Sequence, residues 1–239
     1  RKPPTGIGQA GLGKITQLDA FIQFADGVQG GFPHNTDKAT KATLQQRSSL
    51  GGARPKCTLM NENRLLLAKP RDRYDTYDVP ALEHACMTFA ASKGMNVAQV
   101  QLHRGRVNTL LVERFDRSPA GDGHFYRVPM LSGLTLLDSD WNNQMSWAQE
   151  WHYGLLADEM SRRGVPHCDL QELFKRICFN ILVGNDDDHP KNVAVLFLNG
   201  SWRLSPMYDV LPTTEGAAPS SLAMGNGSFG KELTRRNLL

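Results

Sequence analysis

A chain of 239 residues that is 40% hydrophobic can bury a substantial core, as one large domain or two lobes. Its 27 Lys and Arg against 24 Asp and Glu leave a net charge of +3, too mild for a nucleic-acid footprint carried by total charge. Cys57, Cys86, Cys168 and Cys178 form no C-x-x-C pair, which argues against a structural zinc site and a secreted disulfide framework.

No segment reaches the roughly 18 apolar residues of a membrane helix, and RKPPTGIGQAG at the start lacks the apolar core of a signal peptide. A soluble, cytoplasmic protein without a membrane partner is expected. The opening on Arg1 instead of Met is compatible with a trimmed form of a longer sequence.

Residues 1–46 form an N-terminal segment with one amphipathic stretch, where Ile15, Leu18, Phe21, Ile22 and Phe24 predict a short helix. From residue 47, RSSLGGARP reads as a glycine-containing turn, and KCTLM and RLLLAK as two strands joined by NEN. A helix over about 79–93 follows, with Asp78 as N-cap, Pro80 in its first turn and Gly94 as its stop. Its expected apolar face is Leu82, Ala85, Cys86 and Phe89. VAQVQLHRGRVNTLLVERF predicts two more strands around a turn at His103–Gly105, completing a strand-rich lobe over 47–118.

The remainder, 119–239, reads as mainly helical. MSWAQEWHYGLLADEMSRRG supports one helix and DLQELFKRICFNILVG another, with Asp169 and Glu172 at capping-box spacing. Leu170, Leu173, Phe174, Ile177 and Ile181 form the expected core face of the second. No internal repeat or low-complexity run is present, and GDG at 121–123 and the Gly/Ser-rich 216–230 read as mobile.

The most informative stretch is NDDDHPKN at 185–192. Clustered carboxylates repel one another unless a cation or positive complex sits between them. After Asp187 and Asn192 come the strand VAVLFL, the two-residue turn Asn199-Gly200, the returning strand WRLS and then Asp209. A hairpin returns the chain, so Asp209 is expected beside Asn192 and Asp187. Oxygen ligands suit a hard cation such as Mg2+. The spacing D-x-x-x-x-N with a later Asp suits a phosphotransferase in which Asp187 orients the attacking hydroxyl while Asn192 and Asp209 hold metal.

Each signal has a plain alternative. N-D-D-D-H by itself reads as a solvated acidic turn, Lys69 as a surface lysine and Glu83 as a solvated helix residue. SSLGGA is not G-x-G-x-x-G and alone reads as a connector. Val112–Asp116 is either a strand end or a hinge that meets adenine, and His189 is read as bracing the loop in preference to binding metal. The order along the chain of turn, strand lysine, helix glutamate and acidic loop favours the joint reading.

SSLGGARPK at 48–56, LLAK at 66–69, LEHACMTFAASKGM at 82–95, LLVERFDR at 110–117, NDDDHPKN at 185–192 and WRLSPMYD at 202–209 together resemble the HipA family. Its members are bacterial serine/threonine kinases, toxins of HipBA-type toxin–antitoxin pairs. The resemblance implies an α+β, two-lobed protein-kinase-like fold, with a strand-rich N-lobe and a mainly helical C-lobe. It makes Asp187 similar to the catalytic aspartate, Asn192 and Asp209 to the metal ligands, and Lys69, paired with Glu83, to the ATP lysine. Glu113, Phe115 and Asp116 fall at the hinge. Ser49, Gly51, Gly52, Ala53, Lys56, His189 and Lys191 complete the nucleotide-contacting set, and Ser49 corresponds to the loop serine that such kinases autophosphorylate.

The implied cofactors are ATP and Mg2+, the implied target an aminoacyl-tRNA synthetase with growth arrest and persistence as the consequence. The implied partner is a HipB-like antitoxin through which DNA is bound. A small-molecule kinase of the same fold remains open, as does a nucleotide-binding regulatory module that mainly binds an antitoxin and DNA. A zinc or di-metal hydrolase built on Asp186–His189 lacks complementary histidines.

Overall fold

The computed structural model describes residues 13–23, 54, 56–121, 124–144, 147–213, 221–227 and 230–232. Phe24, the turn residues Ser49, Gly51, Gly52 and Ala53, residues 122–123 and much of 216–230 lie outside them. The chain forms two compact units, Arg1–His84 with Gln99–Arg127, and Ala85–Ala98 with Val128–Leu239.

The first unit is built on β1 (Gly13–Lys14), β2 (Cys57–Asn61), β3 (Arg64–Pro70), β4 (Val100–Arg104) and β5 (Asn108–Glu113), in the order β1-β2-β3-β5-β4. β1 pairs parallel with β2 and the other pairs are antiparallel. Side chains alternate across a strand, so Cys57, Leu59, Leu66, Ala68 and Leu111 share a core with Leu18, Phe21 and Ile22. Those three come from helical backbone over 18–23, as the amphipathic stretch predicts. A ribbon of β6 (Arg117–Gly121) and β7 (His124–Arg127) completes the unit, where the sequence reading expected a mainly helical region to begin.

Helix α1 (Val79–Ser92) starts as expected on Asp78, whose carboxylate accepts from Ala81 N at 3.2 Å. Its buried face differs from the expected one. Val79, Glu83, Cys86, Met87 and Ala90 are buried while Ala85 is exposed and Phe89 is 52% exposed. That face carries Glu83, and the ion pair with Lys69 makes burial of its carboxylate tolerable.

In the second unit, β8 (Met130–Ser132), β9 (Ala194–Leu198) and β10 (Ser201–Leu204) form an antiparallel sheet in the order β10-β9-β8. Asn199 and Gly200 have φ of 49° and 85°, the left-handed pair that a tight hairpin turn requires. Around the sheet lie α2 (Gly133–Leu136), α3 (Trp147–Glu150), α4 (Tyr153–Arg162) and α5 (His167–Val183). Leu156, Met160, Leu173, Ile177, Val195 and Leu204 meet in their core.

The structure departs from the sequence expectation at three further places. The single helix over MSWAQEWHYGLLADEMSRRG is two, because His152 is extended and its Nδ1 caps Gly154 N at 2.9 Å. Backbone bonds from Tyr153 N to Gly225 O and from Gly225 N to Trp151 O, both 2.8 Å, hold the break. Asp169 and Glu172 form no capping box. Helix α5 begins after Pro166, and the Asp169 carboxylate accepts from Arg203 Nε at 2.8 Å, Arg203 Nη2 at 2.9 Å and Leu204 N at 2.9 Å. Phe174 is half-exposed because α5 buries the polar residues Asp169, Arg176 and Asn180 on its inner face.

The fold is α+β. Among the described residues, no helix is long and apolar enough to cross a membrane.

Candidate active site

Helix α5 ends on Gly184, whose φ of 69° is the left-handed conformation glycine adopts without a side-chain clash. Asn185 N bonds to Asn180 O at 2.9 Å, closing the helix end and turning the chain into the acidic loop. Buried Asn185 also donates through Nδ2 to Asn180 Oδ1 at 3.1 Å and accepts from Asp187 N at 3.3 Å. The loop then closes on itself, because Asn192 Nδ2 donates to the carbonyl of Asp187 at 2.9 Å. This contact is what the five-residue spacing between Asp187 and Asn192 permits.

The three aspartates have different surroundings. Asp186 accepts a short hydrogen bond from the Thr213 hydroxyl. Asp188 is buried, accepting from Tyr153 Oη at 2.6 Å and Ala223 N at 2.6 Å, and desolvation pushes its carboxyl above the ordinary range. Asp187 has a side chain 76% exposed, with His189 Nε2 at 3.6 Å from Oδ1. Crowding by surrounding protein pushes its carboxyl up; His189 opposes that shift, and the charges of Asp209 and Asp186 add to it. A carboxylate shifted in this direction accepts a proton more readily.

Asp209 follows the hairpin with φ of 60°, a left-handed conformation in which aspartate is enriched among non-glycine residues. Its neighbours hold it: Tyr208 Oη donates to Lys191 O of the loop at 2.8 Å, and Met207 N bonds to Asn96 O, beyond the end of α1, at 2.8 Å. Asn192, Asp209 and Asp188 line one pocket. Its donor set of carboxylate and amide oxygens suits a hard cation that keeps further positions for water or phosphate. Among the described residues, no group of three or more His, Cys, Asp or Glu could hold a metal by itself.

In the first unit, Lys69 Nζ lies 2.7 Å from Glu83 Oε1, with side chains 18% and 5% exposed. The helix glutamate and the strand lysine therefore meet. Glu113 sits at the end of β5, its Oε2 3.4 Å from Arg64 Nη1, with its N–H bonded to Gln99 O. Phe115 is half-buried, and Lys56 leads directly into β2. Asp116 is gripped by Arg114, at 2.7 Å, and Arg117. Burial would raise its carboxyl, but the two guanidiniums outweigh this and hold it below the ordinary range.

His189 packs edge-on against Trp141, and Lys191 Nζ stands 3.3 Å from the centroid of the same ring. Sequence reading missed Trp141. It also missed Asn180, Asn185 and Tyr153, which hold the loop, and Gly133. A Cβ on Gly133 would meet Pro190 O at 2.7 Å, so the loop rests against bare backbone there. Only the N-D-D-D-H context pointed toward Asn185; the others carry no local signal.

Residues 48–236 match the model of the HipA-like C-terminal domain. Over 132 residues, 53% of this chain and 31% of the relative, the sequence is 29% identical to Y4mE of Sinorhizobium fredii, which carries the name of a kinase. Over 146 residues, 54% of this chain and 33% of the relative, it is 30% identical to the serine/threonine-protein kinase toxin HipA of Shewanella oneidensis. The chain spans about a third of the length of these curated relatives. The HipA chain solved with HipB and operator DNA from Shewanella oneidensis MR-1 superposes with a TM-score of 0.66 at 20% identity. That match covers 93% of this chain and 56% of the other, and the shared fold is kinase-like.

Proposed function

Since the chain belongs to the HipA-like C-terminal domain family, we propose that it transfers the γ-phosphoryl group of ATP to a serine or threonine hydroxyl of a protein, with Mg2+ as cofactor. The observation that carries this is the Asp187–Asn192 loop. It leaves the Asp187 carboxylate exposed, bonds Asn192 back to the Asp187 carbonyl and places Asn192 in one pocket with Asp209.

Asp187 orients the acceptor hydroxyl and takes its proton as the oxygen–phosphorus bond forms and the bond to the leaving ADP oxygen breaks. Asn192 and Asp209 would hold Mg2+, which when bound neutralises phosphate charge. Lys69, kept in place by Glu83, supplies positive charge for the nucleotide phosphates. Glu113 and Phe115 take the adenine side, with Asp116 stiffening that segment through Arg114 and Arg117. Lys56, His189 and Lys191 belong to the nucleotide surroundings.

The family extends the proposal to a toxin held by a HipB-like antitoxin that binds DNA, an aminoacyl-tRNA synthetase as target, and autophosphorylation of Ser49. Incubating the protein with Mg–ATP and a cell lysate, then identifying phosphorylated proteins, tests it. Asp187→Asn should lower transfer by about 10²–10⁴ while nucleotide binding persists. Equal turnover by the variant and the wild type would refute the assignment.

A further inference from the structure

Trp141 touches the loop between Asp187 and Asn192 at two places. Lys191 Nζ lies over its face at 3.3 Å from the centroid, and the His189 ring meets it at 5.0 Å with planes at 80°. Buried Pro190 sits between these two residues. The ring is itself anchored: Trp141 stacks on Trp151 at 5.4 Å and tilts against Trp147 at 5.1 Å, while Trp147 and Trp151 stack at 4.1 Å. Trp147 Nε1 donates to Asp140 O at 3.2 Å, and Trp151 Nε1 to Ser139 Oγ at 3.0 Å. Three indoles thus form one packed cluster from buried Trp151 out to the loop.

The geometry points to Trp141 as a positioning residue of the catalytic loop, whose ring sets where His189 and Lys191 stand and, through His189, the direction of the Asp187 carboxylate. Among the described residues His189 Nδ1 is buried without a hydrogen-bond partner, so none of them orients the imidazole by a bond at that nitrogen. The edge-on contact with Trp141 does so instead. An ammonium over an indole face is held by the ring quadrupole, most strongly for tryptophan. Fixing two loop side chains in advance is what precise phosphoryl transfer needs. The catalytic purpose rests on the kinase reading above; the clamp does not.

Trp141→Phe keeps a π face, and Trp141→Leu keeps apolar bulk without one. In proton NMR, the ε-methylene signals of Lys191, assigned by their loss in Lys191→Arg, should lie upfield in the wild type. They should stay partly shifted in Trp141→Phe and return to the free-lysine position in Trp141→Leu. Turnover of Mg–ATP should show a kcat about 10-fold lower in Trp141→Leu with KM nearly unchanged, and Trp141→Phe should recover most of the rate. Should Trp141→Leu fail to give a cooperative melt, the wild type and Trp141→Phe carry the test. An unshifted Lys191 in the wild type overturns the clamp. A shift that is lost without change in kcat overturns the positioning role, as does an equal loss in both variants. A wild type inert toward Mg–ATP but with Lys191 shifted refutes the kinase reading and upholds the clamp.

Discussion

Replacing Tyr153 by Phe removes one oxygen atom from the interior and leaves the ring in place, which isolates what the hydroxyl does for the Asp187–Asn192 loop. Tyr153 is fully buried, and burial, with the charge of Asp188 adding, keeps its hydroxyl protonated far above neutral pH. It therefore donates to Asp188 Oδ2 at 2.6 Å. A hydrogen bond to a charged group contributes about 1.5–3 kcal/mol, and its buried acceptor would be left with fewer partners. No cavity forms, so the expected loss is about 2 kcal/mol. For a chain of this size that is about 4–8 °C in Tm.

The pH dependence has a definite sign. The Tyr153 bond favours ionised Asp188, whose folded pKa is already raised by burial. Its loss raises that pKa further, so the deficit of Tyr153→Phe is largest at neutral pH and narrows as the pH falls through the Asp188 pKa. Thermal melts at neutral and acid pH measure this, with Asp188→Ala as the background that removes the acceptor. A Tm change below about 1 °C, or an equal loss in the Asp188→Ala background, would refute the reasoning.

Asp209→Ala should weaken nucleotide binding in the presence of Mg2+ and change it little without, because a carboxylate donor is lost from the pocket shared with Asn192; calorimetry in both conditions checks it. Glu83→Gln should lower kcat/KM for ATP about 10-fold, since the buried carboxylate that holds Lys69 loses its charge; steady-state kinetics showing no change would count against the ion pair's role. Asp169 has its carboxyl held below the ordinary range by the Arg203 guanidinium, against burial. Its stabilisation is complete above the unfolded pKa, about 4, and disappears as pH falls through the lower folded pKa. Unfolding free energies from urea titrations of wild type and Asp169→Asn should therefore differ by about 1–2 kcal/mol at pH 7 and converge in acid.

Local chemistry made much of this protein legible from its sequence alone. The strands β2, β3, β5, β9 and β10 show in apolar runs bounded by turn residues, the N-cap of α1 in Asp78, and the last hairpin in Asn199-Gly200. The Asp187–Asn192 spacing is likewise a property of six consecutive residues, and the structure uses it in the bond from Asn192 to the Asp187 carbonyl. Such features are set by interactions within a few positions along the chain.

Tertiary structure decided the rest, because its partners lie far apart in sequence. Periodicity assigned α1 an apolar face that included Phe89, but the face that is buried carries Glu83, whose carboxylate meets Lys69, 14 positions earlier. Asp169 has the spacing of a helix cap, yet Arg203, 34 positions away, claims its carboxylate. Asp188 is indistinguishable from Asp187 by composition and separates from it only when Tyr153, 35 positions earlier, comes to lie beside it in the core. A residue's neighbours along the chain set its conformational preference, whereas its charge state, burial and partner depend on which distant groups the fold brings within hydrogen-bonding reach.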